Sequence, residues 1–218
     1  MPPQVTLNGS SYDTLLAAYT GTAVNALTLV ANNDDCPTGG APASCVAFSI
    51  TQGTVYSLQV DGAGGRKGSV RIAVTVTLAG DPVASPIPVP LAGLGSQSLT
   101  ATTVGATREV GEPVLFTGLG ESASIWFSWT APHAGVLRVN TRGSPFNTVL
   151  GVYRTSVTTG APTFASLTLV TTNDNCAGVT TSCANVTVAS PGVRYLVKVD
   201  GAAGAKGAVT ISFNLATV

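Results

Sequence analysis

The chain has 218 residues, enough for one large or two small domains with real cores. Only 9% of them are charged, against about 25% in ordinary soluble domains, and 10 Lys or Arg balance 10 Asp or Glu to a formal net charge of zero. No basic face is therefore available for nucleic acid and no polybasic patch for anionic lipid, while a neutral surface offers little repulsion against self-association.

Met1-Pro2-Pro3 has neither a basic nor an apolar run, so no signal peptide is expected in these residues. Strand signals follow in order. Val46, Phe48 and Ile50 alternate with small or polar residues, and so do Tyr56, Leu58 and Val60. Further on, Ile125 to Thr130 form an aromatic strand holding both tryptophans, followed by an Ala131-Pro132-His133-Ala134-Gly135 turn and by Val136 to Val139. Val186 and Val188 alternate next, then Tyr195, Val197 and Val199. Asn33-Asp34, Gln52-Gly53, Asp61-Gly62, Pro191-Gly192 and Asp200-Gly201 punctuate these runs as turns. No run has sustained helical periodicity. The stretch Ile72 to Leu94 is broken by Asp81 and by Pro82, Pro86, Pro88 and Pro90, so no membrane span is expected.

Four blocks recur in the same order. Gly9 to Leu16 matches Gly143 to Leu150, and Ala26 to Val30 with its Asn33-Asp34-Asp35-Cys36 loop matches Ser166 to Val170 with Asn173-Asp174-Asn175-Cys176. Val55 to Gly62 matches Arg194 to Gly201, and Gly68 to Ile72 matches Gly207 to Ile211. The second copy is preceded by residues 98–141, including the tryptophan strand; the first has only Met1 to Asn8 before its Gly9. The expected fold is all-β, with two antiparallel jelly-roll-like β-sandwich units in tandem. The expected boundaries are 1–80 for an incomplete repeat, 81–97 for a Pro-rich linker or opening segment, and 98–218 for a complete repeat. The chain thus carries two C-terminal halves and one N-terminal half, and residues 81–142 would complete either unit. The half left over exposes an apolar face and an unpaired strand edge.

The blocks resemble the bacterial pre-peptidase C-terminal domain family. The resemblance rests on the Gly105 to Pro113 segment (G-A-T-R-E-x-G-E-P), Trp126 to Pro132 (W-x-S-W-T-A-P), Phe146 to Tyr153 (F-x-T-x-L-x-V-Y), an Asn-Asp loop, and Tyr195 to Gly201 (Y-x-V-x-V-D-G). It covers residues 81–218 fully and 4–80 partly. Asp81 to Leu91 resembles the family's opening segment, although an N-D-N-F-A-N run is not intact there. The resemblance implies a jelly-roll-like sandwich on secreted bacterial proteins, often downstream of a peptidase or hydrolase domain. It further implies a role in adhesion, polymer binding or secretion, with Ca²⁺ bound by some relatives near the opening segment.

Cys36 and Cys45, and Cys176 and Cys183, bracket equivalent loops. Four cysteines permit three pairings, and the repeat favours the two local ones, which imply an oxidising compartment. Asp34, Asp35 and Asp174 offer oxygen ligands for Ca²⁺, against the alternative that they and Asn33, Asn173 and Asn175 form Asx turns. Glu109 and Glu112 are a second candidate Ca²⁺ or acid–base pair, beside the alternative of a solvated loop. Trp126 and Trp129, with Phe127, are candidates for ligand stacking, with core packing expected on at least one strand face. His133, Arg66, Lys67 and Lys206 are expected at exposed turns. No nucleophile–base set, zinc pattern or phosphate loop is present, so no enzyme and no obligatory cofactor are expected. The functional expectation is a secreted bacterial structural or adhesive protein, a fibre subunit joined head-to-tail by strand complementation. The alternative is an accessory module of a secreted peptidase or other hydrolase, with an insoluble polymer as partner.

Overall fold

The two copies of the repeat form the two units of the chain, and each is built by strict in–out alternation. The computed structural model describes residues 4–37, 42–51, 53–76 and 78–217. Met1-Pro2-Pro3 and Gln52, half of the Gln52-Gly53 turn signal, lie outside them.

The second unit spans 78–218. Its strands are β7 (Ile87–Pro88), β8 (Gly95–Thr102), β9 (Ile125–Thr130), β10 (Gly135–Asn140), β11 (Thr148–Thr155), β12 (Leu167–Asn173), β13 (Cys183–Val188), β14 (Arg194–Gly201) and β15 (Ala208–Ala216); the strands of the first unit are numbered β1–β6 below. One sheet has the order β12–β11–β14–β9–β7 and the other β13–β10–β15–β8. All pairings are antiparallel except the short β7–β9 contact. The inner faces meet in one core. Phe127 and Trp129 from β9 and Val197 and Val199 from β14 pack with Leu137, Val186, Ile211 and Phe213 from the other sheet. Alternation sends Trp126 to the outer face of its sheet, where it joins Val83, Tyr153 and Leu196 in a second cluster.

The boundary falls after Thr77, and the Pro-rich stretch expected as a linker or opening segment is part of the second unit. Trp126 donates its N–H to the Gly80 carbonyl (2.7 Å), and Val89 donates to Ser128 (2.8 Å). Val83, Val89 and Leu91 are buried. Prolines are tolerated here because β7 is an edge strand, where a missing N–H breaks no ladder.

The first unit contains β1 (Gln4–Thr6), β2 (Thr14–Thr20), β3 (Thr28–Asn33), β4 (Cys45–Ala47), β5 (Tyr56–Gly62) and β6 (Ala73–Thr75). They form two three-stranded sheets, β4–β1–β6 and β3–β2–β5. Its core of Val5, Leu7, Leu16, Ala18 and Val46 joins the two sheets into a small sandwich. Strand for strand, β1 to β6 correspond to β10 to β15, down to a register shift at Ala18/Tyr19 that repeats at Val152/Tyr153. Counterparts of β7, β8 and β9 are absent among the described residues. The single N-terminal half is therefore taken by the second unit, by direct continuation.

Candidate functional site

The residues that hold an N-terminal half in place are visible in the second unit. Residues 112–121 lie over the outer face of the β9/β14 sheet, where Leu115 packs with Trp126 and Leu196, and Lys198 on β14 fastens them. Its ammonium donates to the Pro113 carbonyl (2.9 Å) and pairs with Glu112 Oε1 and Glu121 Oε2, both at 2.9 Å, with Asp200 Oδ2 at 3.9 Å. All four charged side chains are buried. Glu121 also accepts from the N–H groups of Leu115 and Phe116. Asp200 Oδ1 accepts from Gly201, Ala123 and Ser122 (2.7, 3.1 and 3.3 Å), tying β14 to the residues just after this cover. Burial raises the Asp200 carboxyl above its ordinary value, against the lowering effect of these N–H groups and of Lys198. A buried charge is tolerable only when partners replace water, and each charge here has them.

The first unit keeps the interior of this design and loses its anchor. Aligning Asp61-Gly62 with Asp200-Gly201 places Gln59 where Lys198 stands and Ser57 where Leu196 stands. Among the described residues Gln59 accepts only a hydroxyl hydrogen bond from Tyr19 at the surface, and Asp61 is exposed and accepts from Gly62 alone. On the inner face every counterpart remains apolar. Tyr56, Leu58 and Val60 match Tyr195, Val197 and Val199, and Val70, Ile72, Val74 and Val76 match Val209, Ile211, Phe213 and Leu215. Their environments differ sharply. Ile72 is 50% and Val74 57% exposed, whereas Ile211 and Phe213 are both at 0%. Val74 sits directly opposite buried Val5 in the ladder, so it faces the interior and still meets water. Among the described residues β5 is bonded only to β2 and β6 only to β1, so each has an unpaired edge on the side that β9 and β8 fill in the second unit.

Both local disulfides are formed, Cys36–Cys45 and Cys176–Cys183. In the loops they close, Asn33 and Asn173 do not form local Asx turns; each side chain reaches across to the far end of its loop. Cys45 donates its N–H to Asn33 Oδ1 (3.0 Å), and Cys183 donates to Asn173 Oδ1 (2.9 Å). Behind each loop sits a buried Thr–Ser pair, Thr14 with Ser44 and Thr148 with Ser182, whose hydroxyls bond each other and each other's backbone. Sequence reading missed these pairs, although each Thr lies inside a repeated block.

The candidate Ca²⁺ residues divide. Asp34 and Asp35 are exposed and share a cluster with Asp13, their oxygens within 4.8 Å of one another; Arg66 pairs with Asp13 at 3.2 Å. Asp174 is in the second unit, and its Oδ2 accepts from Asn175. Glu112 is committed to Lys198, and its Oε2 accepts from the Glu109 N–H (2.9 Å). Glu109 Oε2 accepts from Val83 (2.7 Å), and burial raises its carboxyl above the ordinary value. The Glu109/Glu112 pair, a candidate for Ca²⁺ or acid–base work or else a solvated loop, accepts backbone N–H bonds that tie its segment together. Trp126 and Trp129 do not form a stacking platform, because both are buried: Trp126 packs against Tyr153 and Phe164, and Trp129 packs against Tyr195 and donates Nε1–H to the Leu91 carbonyl. His133, Arg66, Lys67 and Lys206 are exposed.

No family model matches the chain, and no curated protein matches it. No helix among the described residues is long and apolar enough to cross a membrane.

Proposed function

We infer that this chain is an extracellular, non-catalytic structural or adhesive protein that works by association through its open first unit. The observation that carries the reading is the exposed inner face of that unit, with every core position still apolar and two strand edges free. The two disulfides support an oxidising, extracellular setting. The motifs shared with the pre-peptidase C-terminal domain family support an accessory or adhesive role on a secreted bacterial protein. The alternative, an accessory polymer- or substrate-binding module, follows from the same resemblance, but its candidate stacking residues Trp126 and Trp129 are buried. A head-to-tail fibre needs a spare strand, and every strand named above is already paired within its own unit. A donor would have to come from outside the described residues.

Size-exclusion chromatography with light scattering over a wide concentration range tests the reading, beside assays on ester, peptide and glycoside substrates. Concentration-dependent association and blank assays are expected. A monomer throughout overturns it.

A further inference from the structure

We propose that the open face of the first unit is covered by the same face of a second copy, in a twofold dimer that closes both sandwiches at once. This rests on reading that unit as an association site, and it names the partner.

The geometry starts from the edges. β3 packs beside β4 at one end of the stacked sheets, so β5 and β6 both lie at the other. A twofold axis normal to the sheets maps each sheet into its own plane and runs each edge strand antiparallel to its copy. The same axis therefore sets β5 against β5 and β6 against β6, giving two six-stranded sheets. Centring the β5 pairing on Gln59 puts Leu58 opposite Val60 of the other copy, both facing inward, and puts Asp61 opposite Ser57. No like charges meet. β6 carries no charge, and β5 carries only Asp61 near its end, so the edges lack the Lys and Pro that keep natural edges apart. The chain's zero net charge adds no long-range repulsion.

The alternative occupant is another N-terminal half, like residues 78–130. The outer face argues against it. In the second unit that half is fastened by Lys198 to Glu112, Glu121 and Pro113. In the first, Gln59 and Ser57 stand at the anchor and at the Leu196 position under the cover, so nothing there would hold such a segment. A partner that fills the interior and adds edge strands, without wrapping the outside, fits what remains.

Sedimentation velocity on the full chain and three variants tests this. Leu58→Lys and Val74→Lys place a charge on the inner face at exposed positions, and Leu29→Lys, beside Tyr19 on the outer face, is the control. The wild type and the control are expected to dimerise alike, and the two inner-face variants to dissociate about tenfold or more readily. Hydrogen exchange of the β5 amides, slow in concentrated and fast in dilute wild-type protein, gives an independent reading that needs no variant. Open-ended assembly, or a dimer that both inner-face charges leave intact, overturns the twofold face but not the association reading. A monomer at every concentration overturns both.

Discussion

Replacing Lys198 by Met would remove the one cation among Glu112, Glu121 and Asp200 and leave three carboxylates in the interior. A buried charge stripped of its partner costs about 3–5 kcal/mol, so the urea midpoint of the second unit should fall by a corresponding amount. Asp200 adds a pH dependence. Its carboxyl is raised by burial, so the folded chain takes up a proton at a pH where the unfolded chain has already released it. Between the ordinary and the raised value, stability from this group grows as pH falls. The stability difference between wild type and Asp200→Asn should accordingly shift in favour of wild type between a neutral and an acidic pH that still lies above the ordinary carboxylate value. Urea titrations of both proteins at the two pH values check the sign. This cluster was half legible in sequence. Glu112 and the Val-Asp-Gly turn stood out as motif residues, but Lys198 looked like one polar residue in an alternating strand. Only the fold brings Glu112 and Glu121, from a segment about 80 residues away, onto the same side of β14.

At the level of elements, the repeated Asp-Gly turn shows why some motif residues recur. A Cβ on Gly201 would lie 1.8 Å from the Ala205 carbonyl oxygen, and one on Gly62 1.8 Å from that of Arg66. The chain folds back so tightly after β14 and β5 that no side chain fits. Gly201→Ala should lower the thermal midpoint of the second unit far more than Gly93→Ala, because Gly93 has open space around its Cβ position and no left-handed backbone. Differential scanning calorimetry of the two variants decides it. Six strands were readable in the sequence: β4, β5, β13 and β14 from runs of period two, and β9 and β10 from the aromatic and apolar runs on either side of the Ala131 to Gly135 turn. The stretch 81–97 was not, because prolines and single apolar residues carry no period. Its burial comes from pairing with β9, which a linear pattern does not encode.

For the molecule as a whole, the arithmetic of halves was the most informative thing in the sequence. It led to a first unit with an open interior, and the structure adds which unit owns the N-terminal half and how firmly. The disulfides do not compensate for the missing half. They bridge separations of only 9 and 7 residues, on the side of the loops after β3 and β12, away from the free edges. Each should contribute on the order of 2–3 kcal/mol in the chain-entropy model. Paired Cys36→Ser and Cys45→Ser substitutions should therefore lower the stability of the first unit by about that much, read by denaturant unfolding, while leaving any association through β5 and β6 in place.

The position of β15 has a consequence for how such a chain is made. It runs between β8 and β10 in the middle of its sheet, and it brings Val209, Ile211, Phe213 and Leu215 to the core. A polypeptide threading out of a ribosome or an export channel N-terminus first must hold the second unit unfinished until this last strand clears the exit. The six described strands of the first unit have emerged long before then, so its apolar inner face stands exposed while the rest of its own chain is still in transit.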